Sequence, residues 1–347
     1  MIRLHILLLI LLTSSAFAQN PQELYEKAFD EFCSMLEGKQ KPDFKRAVFI
    51  TENAYLENKM DYNSFCNTIN GYKVYCEKLV DTKKILYANK DKRKVAVYAA
   101  VYSVMKDTTA VLDSSNLIYH LPFTYNFDDF AGEKDWANMF VTRMIDTHKG
   151  NCHSMPLFYK IIVEELGEEA WLSLAPNHLY IKLRNEKFGW YNTELTSGVF
   201  PVDSWLAASG YIHMDAVRNG IYMDTLSLKQ SIGLCLTDLA KGYEKKFGKG
   251  DCRFILKCCD TVLNYYPNYI NALLQRAEIL KTLYLQETDK NTEQAKRSEE
   301  SMTAAYTKIH KLGYRKMPSD MYFKWLMSVK EEKYKNQNQN VINFNAK

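Results

Sequence analysis

The chain has 347 residues, of which 47% are hydrophobic and 25% charged, ordinary proportions for a folded soluble protein with room for two or three domains. A formal net charge of only +4 gives no electrostatic case for nucleic acid as a partner. The 24 tyrosines and 17 phenylalanines are read as filling helix seams and snorkelling at surfaces.

The first 18 residues read as a signal peptide: a basic head at Met1-Ile2-Arg3, a mostly apolar run from Leu4 to Leu12, and the small-x-small pattern Ala16-Phe17-Ala18 ahead of Gln19. The apolar run is too short for a comfortable transmembrane helix, and no cysteine follows it to carry a lipid. Export to the periplasm or the exterior, with no stable membrane anchor, is therefore expected. Residues 19–130 read as a mainly helical N-terminal region packed on the core. Asn20-Pro21-Gln22-Glu23 starts a helix that ends near Gly38, and Asp61 opens another through Cys66, Tyr72 and Cys76. The run from Lys94 to Met105, rich in Val, Ala and Tyr, is ambiguous between helix and strand. Leu121 to Phe127 reads as extended and Asp135 to Ile145 as a short helix.

Residues 131–220 carry the chemistry. In Gly150-Asn151-Cys152-His153-Ser154-Met155-Pro156, the proline suits a helix's first turn and Gly167 suits its end, so Cys152 stands at a helix start. Unpaired backbone N–H groups and the positive end of the helix dipole favour thiolate there. A nucleophilic thiol also needs a base and a third group to fix the base's tautomer. Ala170 to Leu174 has strand composition, Pro176-Asn177 makes a turn, and His178 to Leu183 alternates as a half-buried strand does. A hairpin loop over residues 185–189 leads to the strand Trp190 to Thr196. Cys152, His178 and Glu194 thus appear in that order. His153 points elsewhere on its helix and is read as a packing or substrate-facing residue. Asn192, on the same strand face as Glu194, stays open as an alternative third member.

A cysteine at a helix start, a histidine opening one strand and an acid on the next, in a tryptophan-x-x-x-acid-x-threonine context, resembles the transglutaminase-like branch of the papain-like thiol fold. The resemblance covers roughly residues 135 to 205. That family usually has aspartate followed by proline where Glu194 and Leu195 stand here. The resemblance implies acyl transfer through a thioester on peptide or protein amide bonds. Cys152 would attack the carbonyl, its backbone N–H would face the oxyanion, His178 would shuttle the proton and Glu194 would orient the imidazole. Water as acceptor gives a peptidase or amidase, the first expectation, and an amine gives a cross-linking enzyme. No cofactor is implied.

Residues 221–332 change to helix pairs: Ser227 to Phe247, Asp251 to Tyr265 stopped by Pro267, and Tyr269 to Leu285. Small residues at a repeated position and proline at the unit's end resemble tetratricopeptide repeats, with Ile255, Cys259 and Val262 in the core. The stretch from Gln286 to Glu300 is longer and more polar than a repeat turn. Residues 333–347, rich in Lys, Asn and Gln, read as a disordered tail. Of the eight cysteines, Cys66 is open to pairing with Cys76, or either with Cys33, while Cys258-Cys259 and Cys152-His153 lack the spacing of zinc ligands, so no metal is expected.

The expected architecture is therefore α+β: a helical N-terminal region, a transglutaminase-like thiol domain and a C-terminal helical repeat-like domain that could dock a protein partner. The alternative function is a non-catalytic envelope binding or scaffold protein that keeps the fold and uses its helices. Glutamate in the place of aspartate, with no recognisable substrate-pocket signature, points that way.

Overall fold

Residues 20–82, 84–249, 252–318, 320–322, 324, 325 and 327 are described in a computed structural model of the chain. The expected signal peptide and the expected tail from 333 lie outside the described residues. The fold is mixed, helices with a few short strands. Asn20 accepts from the Gln22 N–H and Pro21 takes the first position of α1 (Pro21–Leu36), as the sequence indicates. Next come α2 (Phe44–Tyr55), α3 (Tyr62–Thr82) and α4 (Lys92–Lys106). α4 settles the ambiguous run as helix. It lies against α3 and also against the later helix at Cys152, burying Val95, Val97, Tyr98, Ala99, Ala100, Val101, Val104 and Met105. A helix covered nearly all round shows no polar stripe, which is why periodicity gave no answer.

A hairpin of β1 (Thr109–Asp113) and β2 (Asn116–His120) follows, then β3 (Thr124–Tyr125) within the expected extended segment. The helix expected over 135–145 is broken in two at Phe140: a 3₁₀ turn, Trp136–Met139, and α5 (Val141–Thr147). The cap of α5 comes from far away. Glu52 of α2 accepts from the Val141 N–H (2.7 Å), the Thr142 N–H (3.1 Å) and the Thr142 hydroxyl (2.6 Å). Burial pushes the Glu52 carboxyl up to about 7 against the pull of those donors.

β4 (Lys149–Gly150) pairs in parallel with β3, placing Tyr125 beside Gly150. α6 (Ser154–Glu165) then packs on a three-stranded antiparallel sheet in the order β5 (Trp171–Ala175), β6 (His178–Asn185), β7 (Gly189–Thr193). The strand expected to run to Thr196 stops at Thr193, and Glu194 continues as a single bridge to Val199. Short helices α7 (Asp203–Ser209) and α8 (Met214–Arg218) lead to α9 (Leu228–Phe247), opened by a capping box of Ser227 and Gln230. α10 (Cys252–Tyr265), α11 (Ile270–Gln286) and α12 (Glu293–Lys311) each pack on the helix before. The polar stretch after Gln286 is thus a short connection and the start of α12, capped by Thr292. α9 also lies against α1 and α2, and one hydrophobic cluster runs from Tyr25 to Ile309, including Ile255, Cys259 and Val262. Among the described residues no helix is long and apolar enough to cross a membrane.

Cys33, Cys66, Cys76, Cys152, Cys235, Cys258 and Cys259 carry free thiols. Cys66 and Cys76 stand ten positions apart on α3, about 15 Å along the axis, too far for a disulfide between them.

Candidate active site

The Cys152 turn is held by its neighbour. Asn151 Oδ1 accepts from the N–H of His153 (3.0 Å) and of Ser154 (2.9 Å), while its amide nitrogen donates to the carbonyls of Phe130 (3.0 Å) and Asn138 (3.1 Å). Two first-turn donors of α6 are thereby satisfied, and the Cys152 N–H has no acceptor among the described residues. That donor points the way to an oxyanion position. A Cβ on Gly150 would lie 2.6 Å from Met144 Sδ and 2.9 Å from Met155 Cγ, so any side chain here would push both buried methionines aside.

His178 opens β6 directly after the turn at Asn177, whose φ of 55° is left-handed. The carbonyl of Asn177 lies 3.9 Å from Cys152 Sγ. Glu194 Oε2 accepts from His178 Nε2, and its other oxygen accepts from the Thr196 N–H at 2.7 Å. The register explains which acid is used. Lys182 pairs with Asn192 and Ile181 with Thr193, so Asn192 sits four residues along β6 from His178, whereas Glu194 lies nearer and has the longer reach. Asn192 instead donates to Pro201 O (2.9 Å) and Asp203 Oδ1 (2.8 Å). Of the two, Glu194 is the residue that meets His178.

With Nε2 on the carboxylate, the ring's free nitrogen is Nδ1. Among the described residues it has no aligned partner, yet thiol and imidazole lie close enough to perturb each other's protonation. Burial, with a smaller push from the nearby Glu77 and Asp260 charges, raises the Cys76 and Cys259 thiols to about 12. Cys152 is as buried and moves the other way: burial raises it, but the adjacent His178 imidazole with its charge and the hydroxyl of Tyr322 bring it below the ordinary thiol value. His178 is pushed up to about 10, its burial outweighed by the Glu194 charge and by the thiol. Glu194 is held below the usual carboxylate range, because His178 and the Thr196 donors outweigh its burial. All three shifts favour one microstate, thiolate beside imidazolium beside carboxylate.

His153 has a separate task. Its Nε2 meets Asp238 Oδ2 of α9 at 3.0 Å and its Nδ1 meets Met139 O at 3.1 Å. Burial lowers its pKa, but the Asp238 charge and hydrogen bond and the Met139 carbonyl raise it to about 9. It is therefore a buried imidazolium that ties the Cys152 turn to α9, which of the two roles left open by the sequence is the packing one.

Three aromatic residues at the site escaped sequence reasoning. Tyr125 on β3 turns a buried hydroxyl toward the thiol. The Tyr322 hydroxyl lies 3.8 Å from Cys152 Sγ, and the Trp325 ring meets the His178 ring edge-on at 4.8 Å. Tyr322 follows Cys152 by 170 positions, and no local pattern announces such a contact. Among the described residues no group of His, Cys, Asp or Glu is arranged to hold a metal ion. Comparison of the chain with protein-family models, with curated proteins and with solved structures returned no match.

Proposed function

We propose that this chain is an exported, transglutaminase-like cysteine enzyme that cleaves peptide or protein amide bonds by way of a thioester. The observation that carries the reading is the buried Cys152, His178 and Glu194 constellation, in which the thiol is lowered and the imidazole raised. The thiolate adds to the amide carbonyl, forming the Sγ–C bond, and the oxyanion faces the Cys152 N–H. The His178 imidazolium gives its proton to the leaving amine as the C–N bond breaks. His178, now neutral and held in tautomer by Glu194, takes a proton from water, whose oxygen displaces the thiolate. An amine in place of water gives cross-linking by the same steps. The helical array from α9 to α12 suits docking of a protein substrate or partner.

Cys152 is only 7% exposed. That cover favours a second reading, a non-catalytic envelope binding protein. The pH midpoint of Cys152 alkylation by iodoacetamide, mapped by peptide mass, separates the two, because a lowered thiol keeps a low midpoint however slowly the reagent enters. A midpoint well under that of an ordinary thiol, with Cys152→Ala abolishing hydrolysis of a peptide library while keeping cooperative unfolding, supports the enzyme. An ordinary midpoint overturns it.

A further inference from the structure

After α12 the chain reverses at Gly313. Its φ is +89°, and a Cβ there would lie 2.6 Å from the backbone nitrogen of Ala216, so glycine alone lets the chain turn back along α8. Asn219 fastens the turn by donating to Leu312 O at 3.2 Å. Met317, Tyr322 and Trp325 then bury themselves with Val199, against Tyr125, Phe130 and Trp205. Tyr322 N–H donates to Pro318 O (2.9 Å), a local turn that sets the tyrosine and the tryptophan three positions apart on the site. The Trp325 indole N–H is held by Ser209 Oγ at 3.1 Å. One aromatic residue thus covers the nucleophile and the next covers the base.

A carbonyl carbon must come within about 3–3.5 Å of the sulfur to react. The Tyr322 hydroxyl already occupies that approach. We propose that Met317, Tyr322 and Trp325 form an autoinhibitory strap lying where the substrate lies, and that the groove they vacate on lifting takes a peptide segment bearing aromatic side chains. The strap offers that same chemistry to the apolar walls formed by Tyr125, Phe130, Val199 and Trp205. The inference rests on the reading of Cys152 as a nucleophile.

The test uses the full chain and the rate, not the midpoint, of Cys152 alkylation by iodoacetamide, so that it fails separately from the functional reading. Tyr322→Ser with Trp325→Ser removes the burial of two large side chains, and the expected acceleration is about a hundredfold. Ser209→Ala, which releases the indole and gives up one hydroxyl bond to the Trp205 carbonyl within α7, is the milder variant and accelerates labelling severalfold while cooperative unfolding is kept. Unchanged rates in both variants overturn the strap. In the double variant, a phenylalanyl peptide chloromethyl ketone should inactivate faster than its alanyl counterpart, and equal rates overturn the aromatic preference. Fast labelling of the double variant together with an ordinary pH midpoint in the unsubstituted chain supports the strap while ending the enzyme reading.

Discussion

Asp238→Asn removes the charge that keeps His153 protonated inside the protein while keeping the shape of the side chain. His153 is held at about 9 against an ordinary 6.5, a difference worth about 3 kcal/mol at about 1.4 kcal/mol per unit. The sign follows from linkage. A folded-state pKa above the unfolded one stabilises fully below about 6.5, and that contribution disappears as pH rises through about 9. The variant should therefore lose about 3 kcal/mol near pH 6 and less than about 1 kcal/mol near pH 9.5. Glu52 of α2 faces the same imidazolium. Without that imidazolium Glu52 titrates higher in the variant, whereas the titration of His178 is largely shared by both proteins and cancels in the difference. Urea unfolding followed by circular dichroism at the two pH values gives the measurement. An equal loss at both would mean that Asp238 acts through packing alone, and no loss near pH 6 would mean that the pair with His153 contributes nothing.

Glu194→Gln keeps the shape of the acid but not its charge, so His178 loses its largest support and Cys152 its imidazolium. Turnover and low-pH labelling should fall about a hundredfold, less than the roughly ten-thousandfold of a serine triad because a thiol ionises more readily. Asn192→Ala breaks buried bonds to Pro201 and Asp203 and should cost about 1–2 kcal/mol in urea unfolding while leaving the labelling midpoint in place. If Asn192→Ala shifts the midpoint and Glu194→Gln does not, the third member is Asn192.

What the sequence displayed was local. Asn20-Pro21, the Pro156 and Gly167 bracket around α6, and the alternation from His178 to Leu183 each describe one element through its own neighbours, and the register of β6 on β7 then follows from the hairpin. α12 stayed hidden because it buries little more than Ala295 and Ile309 and otherwise reads as a polar connection. α2, the β1–β2 hairpin, α7 and α8 were likewise not read from sequence. The groups that finish the site are hidden for another reason. Glu52 caps α5 across 89 positions and Asp238 meets His153 across 85. Such pairings exist only after the chain has folded, and no spacing rule contains them.

A buried ion pair costs free energy unless other groups replace the water it loses. Around Cys152 and His178 the replacements are the Glu194 carboxylate, the first turn of α6 and the Tyr322 hydroxyl. The first two belong to the elements that carry the triad, whereas the third belongs to the chain beyond Gly313. On the proposed reading that hydroxyl has two opposed effects. It favours thiolate by hydrogen bonding to it, and its bulk keeps a carbonyl away. The nucleophile is therefore held ionised while it is covered, and lifting the strap exposes a group that need not first lose a proton. Removing Tyr322 trades away part of the low thiol pKa for access, so rate and pH midpoint report different parts of one device: the rate follows the strap, and the midpoint follows the ion pair beneath it.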